Sequence, residues 1–126
     1  MPLPRLVCLA AVAAVLALFA AGCGGATDDR PPQWSFISAT ITEPSCATVN
    51  CHSAITQRAG LDLSARDVGY DRLIGGLYVV PGNADQSSLV GWLTAAGPLR
   101  MPPDNPLSDD DIQLIEHWIN DGARNN

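Results

Sequence analysis

Two thiols and an imidazole lie within one short stretch, Cys46-Ala47-Thr48-Val49-Asn50-Cys51-His52. The order thiol, thiol, imidazole suits covalent haem attachment. In its usual form two cysteines are separated by two residues and followed at once by His. Each thiol adds to one vinyl group of the ring, and the adjoining His ligates the iron. Here four residues separate the cysteines. Two cysteines three positions apart lie about 60° apart around a helix, and five positions apart about 140°. A regular helix therefore cannot present Cys46 and Cys51 to one ring edge, so the inserted pair must bulge or loop out. By itself the motif suits a Cys46–Cys51 disulfide equally well, and both readings stay open at this point.

A second residue bears on the choice. Met101 is the single Met beyond the initiator, set in Arg100-Met101-Pro102-Pro103, 49 residues after His52. A thioether on a proline-stiffened loop suits a sixth iron ligand, and Met in that place raises the reduction potential relative to two His. The competing role is core filler, for which a position between Arg and two prolines is poor. If Met101 does not bind iron, the site is open, as in a peroxidase-like enzyme or a gas sensor. His117 falls about 150° from the middle of its helix's apolar stripe and is expected to face water. Asp109, Asp110 and Asp111 stand at a helix start, where the dipole favours them, and need no metal. The sequence shows no paired carboxylates in an apolar setting, no Ser/His pair and no Gly-rich phosphate loop. Electron transfer without substrate conversion is therefore favoured over enzymatic catalysis.

The elements that must position these groups are short. Trp34, Ile37 and Ile41 recur at helical spacing and predict a helix over 33–41, ended by Pro44. Ser64 is the expected cap of a helix over 65–74, closed by Gly75-Gly76. Val80 to Asn83 reads as a turn around Pro81-Gly82. A helix is expected over 85–95, with Leu89, Trp92 and Leu93 on one side. Residues 97–106 hold four prolines and are expected to be an extended loop. The last helix is the clearest, with Ser108 as N-cap and Ile112, Ile115, Trp118, Ile119 and Gly122 on one stripe. The fold class is thus all-α, about four short helices joined by long Pro- and Gly-rich loops. So few core residues leave the loops little to pack on, and such a domain needs a staple, a metal or a cofactor. One haem would supply the missing core.

The ends of the chain point outward from the cell. Arg5 precedes an uncharged Leu-, Val- and Ala-rich run, Leu6 to Ala21, too short for a spanning helix and typical of a secretory signal. Phe19-Ala20-Ala21-Gly22-Cys23 resembles a bacterial lipobox, which implies acylation of Cys23. The segmentation is then 1–22 signal peptide, 23–32 flexible tether and 33–126 a single domain. An acyl anchor would hold the domain to a membrane on the periplasmic side. Gly24 follows the cysteine where Asp would favour the inner membrane, so the outer membrane is favoured. From Cys23 onward six Arg and no Lys face 13 carboxylates, a net charge near −7. That excludes nucleic acid as a natural partner and suits a basic redox protein. A monomer is expected.

From Cys46 to Ala123 the chain resembles the small cytochrome c domains of bacterial lipoproteins. The matching pieces are Cys46…Cys51-His52-Ser53, Gly60-Leu61-Asp62-Leu63-Ser64, Val80-Pro81-Gly82-Asn83 with Ser87-Ser88-Leu89-Val90, Met101-Pro102, and Trp118-Ile119-Asn120-Asp121-Gly122-Ala123. The resemblance implies a cytochrome c fold around one haem c per chain. Its first and last helices cross, with Trp118 packed there against Trp34 or Phe36. It also implies a Pro carbonyl accepting the proximal imidazole N–H, for which Pro81 is the candidate. The haem-free alternative is a binding or structural lipoprotein stapled by Cys46–Cys51.

Overall fold

The computed structural model describes residues 28–126. The expected signal peptide, Cys23 and the first part of the tether lie outside the described residues. The remainder is all-α, as the pattern of short amphipathic segments requires, with no strand among the described residues.

The first helical rod is longer than the sequence period indicates. It runs as α1 (Trp34–Ile37), a π-helical turn (Ser38–Thr42) and α2 (Glu43–Cys46). Pro44 does not end it. A proline inside an α-helix clashes with the carbonyl four residues back and supplies no N–H. The widened π turn just before it shifts the ladder to five-residue steps, seen where Glu43 N–H donates to Ser38 O and Ala47 N–H donates to Thr42 O at 3.2 Å. Pro44 is carried past the irregularity, and the rod continues to Cys46. Such π turns occur mostly as single insertions, often at functional sites.

No side chain next to α1 caps its N-terminus. The chain's end does so instead: Trp34 N–H donates to Asn126 Oδ1 at 3.1 Å and Ser35 N–H to Asn126 O at 2.8 Å. These are two of the donors a helix start leaves unpaired. The last helix, α5 (Asp109–Asn120), is capped as expected, with Asp111 N–H donating to Ser108 Oγ at 3.2 Å. It buries Leu114, Ile115, Trp118 and Ile119 and leaves His117 exposed. Trp118 stacks on Trp34 at 5.0 Å between ring centroids, and Tyr70 packs edge-on to Trp118 at 6.4 Å. Both indoles are buried, and each has a partner for its N–H: Trp34 Nε1 donates to Arg66 O and Trp118 Nε1 to Arg124 O. This is the expected crossing of first and last helices, and the partner of Trp118 is Trp34.

The two middle helices are α3 (Arg66–Gly75) and α4 (Ser88–Thr94). Ser64 does not cap α3. Its N–H and hydroxyl both donate to Asp62 Oδ1, at 2.9 and 2.6 Å, which closes a local turn and satisfies a buried carboxylate. The Ser64 bonds hold the Asp62 carboxyl below its ordinary range, with the nearby Arg72 adding to the effect. α4 starts three residues later than the pattern indicates, because Ser87 Oγ is engaged with Val80 N–H and Asn83 O in the preceding turn. Residues 97–106 are irregular, apart from a single 3₁₀ turn at Gly97–Leu99.

Candidate functional site

Cys46 is delivered by the end of the first rod, and the chain then leaves helical geometry. Ala47 adopts φ −84°, ψ 26°, Thr48 to Asn50 are exposed, and Val49 projects with 73% of its surface in solvent. Cys51 N–H donates to Thr48 O at 2.9 Å, and His52 N–H reaches back six residues to Cys46 O at 3.1 Å. The residues between the cysteines are thereby looped out. Both thiols and the His52 ring reach the wall of one cleft. Cys46 and Cys51 are not bonded to each other. Burial pushes the Cys46 thiol up to about 11, with the neighbouring Cys51 adding to it.

The cleft has two adjoining lobes of about 200 and 210 Å³. Cys46, His52, Ala59 and Met101 line both, so the volumes overlap. Leu61, Leu63, Tyr78, Trp92, Leu93 and Leu99 give the second lobe an apolar wall. Pro102 and Pro103 extend the first. Met101 is held by its own N–H, which donates to Trp92 O at 3.0 Å, and 39% of the residue is exposed. It is a cleft residue and not core filler.

His52 is oriented from behind. Its Nδ1 lies 3.1 Å from Arg58 O and 3.3 Å from Leu61 O. Two carbonyl acceptors require a donor, so Nδ1 carries the hydrogen and Nε2 is left with its lone pair. The loop that aims these carbonyls is conformationally unusual. Gln57, Ala59 and Gly60 all have positive φ, at 43°, 54° and 74°. Left-handed backbone costs a non-Gly residue energy and collects at functional sites. Arg58 N–H donating to Cys51 O and Leu63 N–H to His52 O tie the loop to the attachment segment.

Pro81 is not brought to this site. It is exposed in the turn at Val80–Asn83, and Gly82 N–H donates to Ile119 O at the end of α5. That turn packs α4 to α5, with Ala84 N–H donating to Asn120 Oδ1. The expected carbonyl acceptor exists, but Arg58 and Leu61 supply it. His117 and Asp109 to Asp111 stand apart from the cleft.

The donor set fits a haem on its chemistry. Two thiols, an oriented imidazole and a thioether share one cleft whose remaining wall is mainly apolar. Next to Met101 in the sequence, Arg100 Nε is buried without a hydrogen-bond partner among the described residues.

Residues 49–105 match the sequence profile of a family described as Planctomycete cytochrome C. The matched span contains Cys51, His52 and Met101 and begins three residues after Cys46. No curated protein and no solved structure matches the chain. The family match and the all-α architecture together support a cytochrome c-like domain.

Proposed function

We propose that this chain is an electron carrier that holds one haem c through thioethers at Cys46 and Cys51, with His52 and Met101 as axial ligands. It acts from a membrane, through an acyl group on Cys23 on the periplasmic side. The observation that carries this reading is the convergence of Cys46, Cys51, His52 and Met101 on one apolar cleft, although they span 55 positions of the sequence.

When bound, the haem supplies a one-electron iron couple. The chain's own groups set its conditions. His52 offers Nε2 because Arg58 O and Leu61 O hold the hydrogen on Nδ1. Two acceptors raise the basicity of the ring and favour the oxidised iron. Met101 works the other way, since a soft thioether favours the reduced iron. Leu61, Leu63 and Leu93 exclude water from one side. An acidic surface directs the approach of a basic redox partner, and no side chain here is required to act as acid, base or nucleophile on a substrate.

The test is expression of the chain with a cytochrome c maturation system, followed by acid–organic extraction. Haem that remains with the polypeptide is the expected result. A colourless product from a working system would refute the reading and leave the haem-free lipoprotein. Mass spectrometry of the mature N-terminus checks acylation of Cys23.

A further inference from the structure

His52 is gripped at two points by one short stretch of chain. Its ring Nδ1 lies 3.3 Å from Leu61 O, and its own carbonyl accepts Leu63 N–H at 2.8 Å. Asp62 stands between those two groups, and Leu61, Asp62 and Leu63 are all buried. Side chains alternate along extended backbone. Leu61, at φ −97° and ψ 118°, and Leu63 both line the apolar lobe. Asp62 lines neither lobe. Its carboxylate is bonded instead to Ser64, whose N–H and hydroxyl both donate to Oδ1.

A buried carboxylate is costly unless it is bonded, and the proposed ligation gives this one no part. What its bonds do is local. A carboxylate that accepts the N–H two residues on closes a side-chain turn, and here that turn fixes the backbone from Asp62 to Ser64. Leu61 O and Leu63 N–H flank the turn, so its opening frees both to swing away from His52. The other acceptor at Nδ1 is not independent of them. Arg58 O also accepts Leu61 N–H at 3.1 Å, so a shift of Leu61 disturbs both carbonyls at the ring. We infer that Asp62 is a positioning residue for His52: its carboxylate, locked by Ser64, holds Leu61 and Leu63 against the imidazole and its backbone. The hold on the ring stands without haem, and its effect on the iron rests on the haem reading above. Loosened acceptors lower the basicity of the ring, which disfavours the oxidised iron and raises the reduction potential.

The test measures solvent exchange of the His52 Nδ1 hydrogen by nitrogen NMR of the reduced, diamagnetic holoprotein, and the potential by redox titration. Asp62→Ala should speed exchange about five- to tenfold and raise the potential. Ser64→Ala changes no charge and should move both in the same direction by less. Asp62→Asn keeps an oxygen acceptor for Ser64 and should restore slow exchange. Tyr70→Phe removes a hydrogen bond to Ala123 O, made at 2.9 Å away from the cleft, and should leave exchange and potential unchanged. The inference is overturned if D62A or S64A keeps the wild-type exchange rate and potential. It is equally overturned if D62N exchanges as fast as D62A, or if Y70F matches D62A. Should D62A fail to mature, S64A still decides. A colourless wild-type product would sink the haem reading instead, and the same exchange series on the haem-free chain would then decide this inference.

Discussion

One N–H on His52 faces two carbonyls, and one thioether, that of Met101, stands on the same cleft with a large exposed fraction. In the proposed ligation these two residues would set opposite pulls on the iron. Met101→Ala in the holoprotein should abolish the Met–iron charge-transfer band and lower the potential; an unchanged spectrum would show that the sixth position is filled otherwise or open. His52→Ala should give no stable holoprotein, read as loss of haem-staining product. The thiols make a separate prediction for the haem-free chain. Cys46 is pushed up to about 11 from 9.0 by burial, so its thiol stays neutral in the fold at a pH where the unfolded thiol has ionised. Between those values the unfolded chain binds fewer protons, and stability falls as pH rises. Urea midpoints measured from pH 8 to 11 should decline across that window, and the decline should vanish in Cys46→Ser. Alkylation at pH 8.5 should label Cys46 more slowly in the folded chain than in urea, because the thiolate is the reactive form.

The elements were legible in proportion to how local their determinants are. α5 is readable because its cap, its acidic first turn and its apolar stripe all lie within one segment. Ser108→Ala should cost about 1 kcal/mol of stability, measured by denaturant titration. The Trp118 contact was also legible, since a large aromatic on an amphipathic stripe must find a partner. Trp118→Ala should cost about 3–5 kcal/mol, and the loss should be shared non-additively with Trp34→Ala because the rings stack. The first rod runs past Pro44 against the local pattern because a π turn is a cooperative adjustment with no periodic signature. Its N-terminal cap was invisible for another reason, as Asn126 comes from the opposite end of the chain. The same division holds in the site. Cys46, Cys51, His52 and Met101 are marked by residue type, whereas the acceptors for His52 are backbone carbonyls and have no residue type to read. Pro81, which the family resemblance implies at His52, belongs to the α4–α5 turn.

At the scale of the whole molecule the start of the described chain is seated on the domain. Arg30 bonds the Asp28 carboxylate and reaches Asp111 in the first turn of α5. Both carboxylates raise the affinity of Arg30 for its proton. Part of the expected tether is thus docked and cannot serve as slack. An acyl group on Cys23, as proposed, would leave five Cα steps before Asp28, a leash of at most about 18 Å. That is shorter than the diameter of the domain it would restrain. The carrier would patrol a thin sheet of space above the bilayer and meet only partners that rise into it. Its donor and acceptor would be chosen by altitude before surface chemistry entered. Inserting a ten-residue Gly/Ser segment after Thr27 should widen that sheet. The expected signature is faster electron exchange with a soluble partner and slower exchange with one embedded in the same membrane, measured by stopped-flow on vesicles.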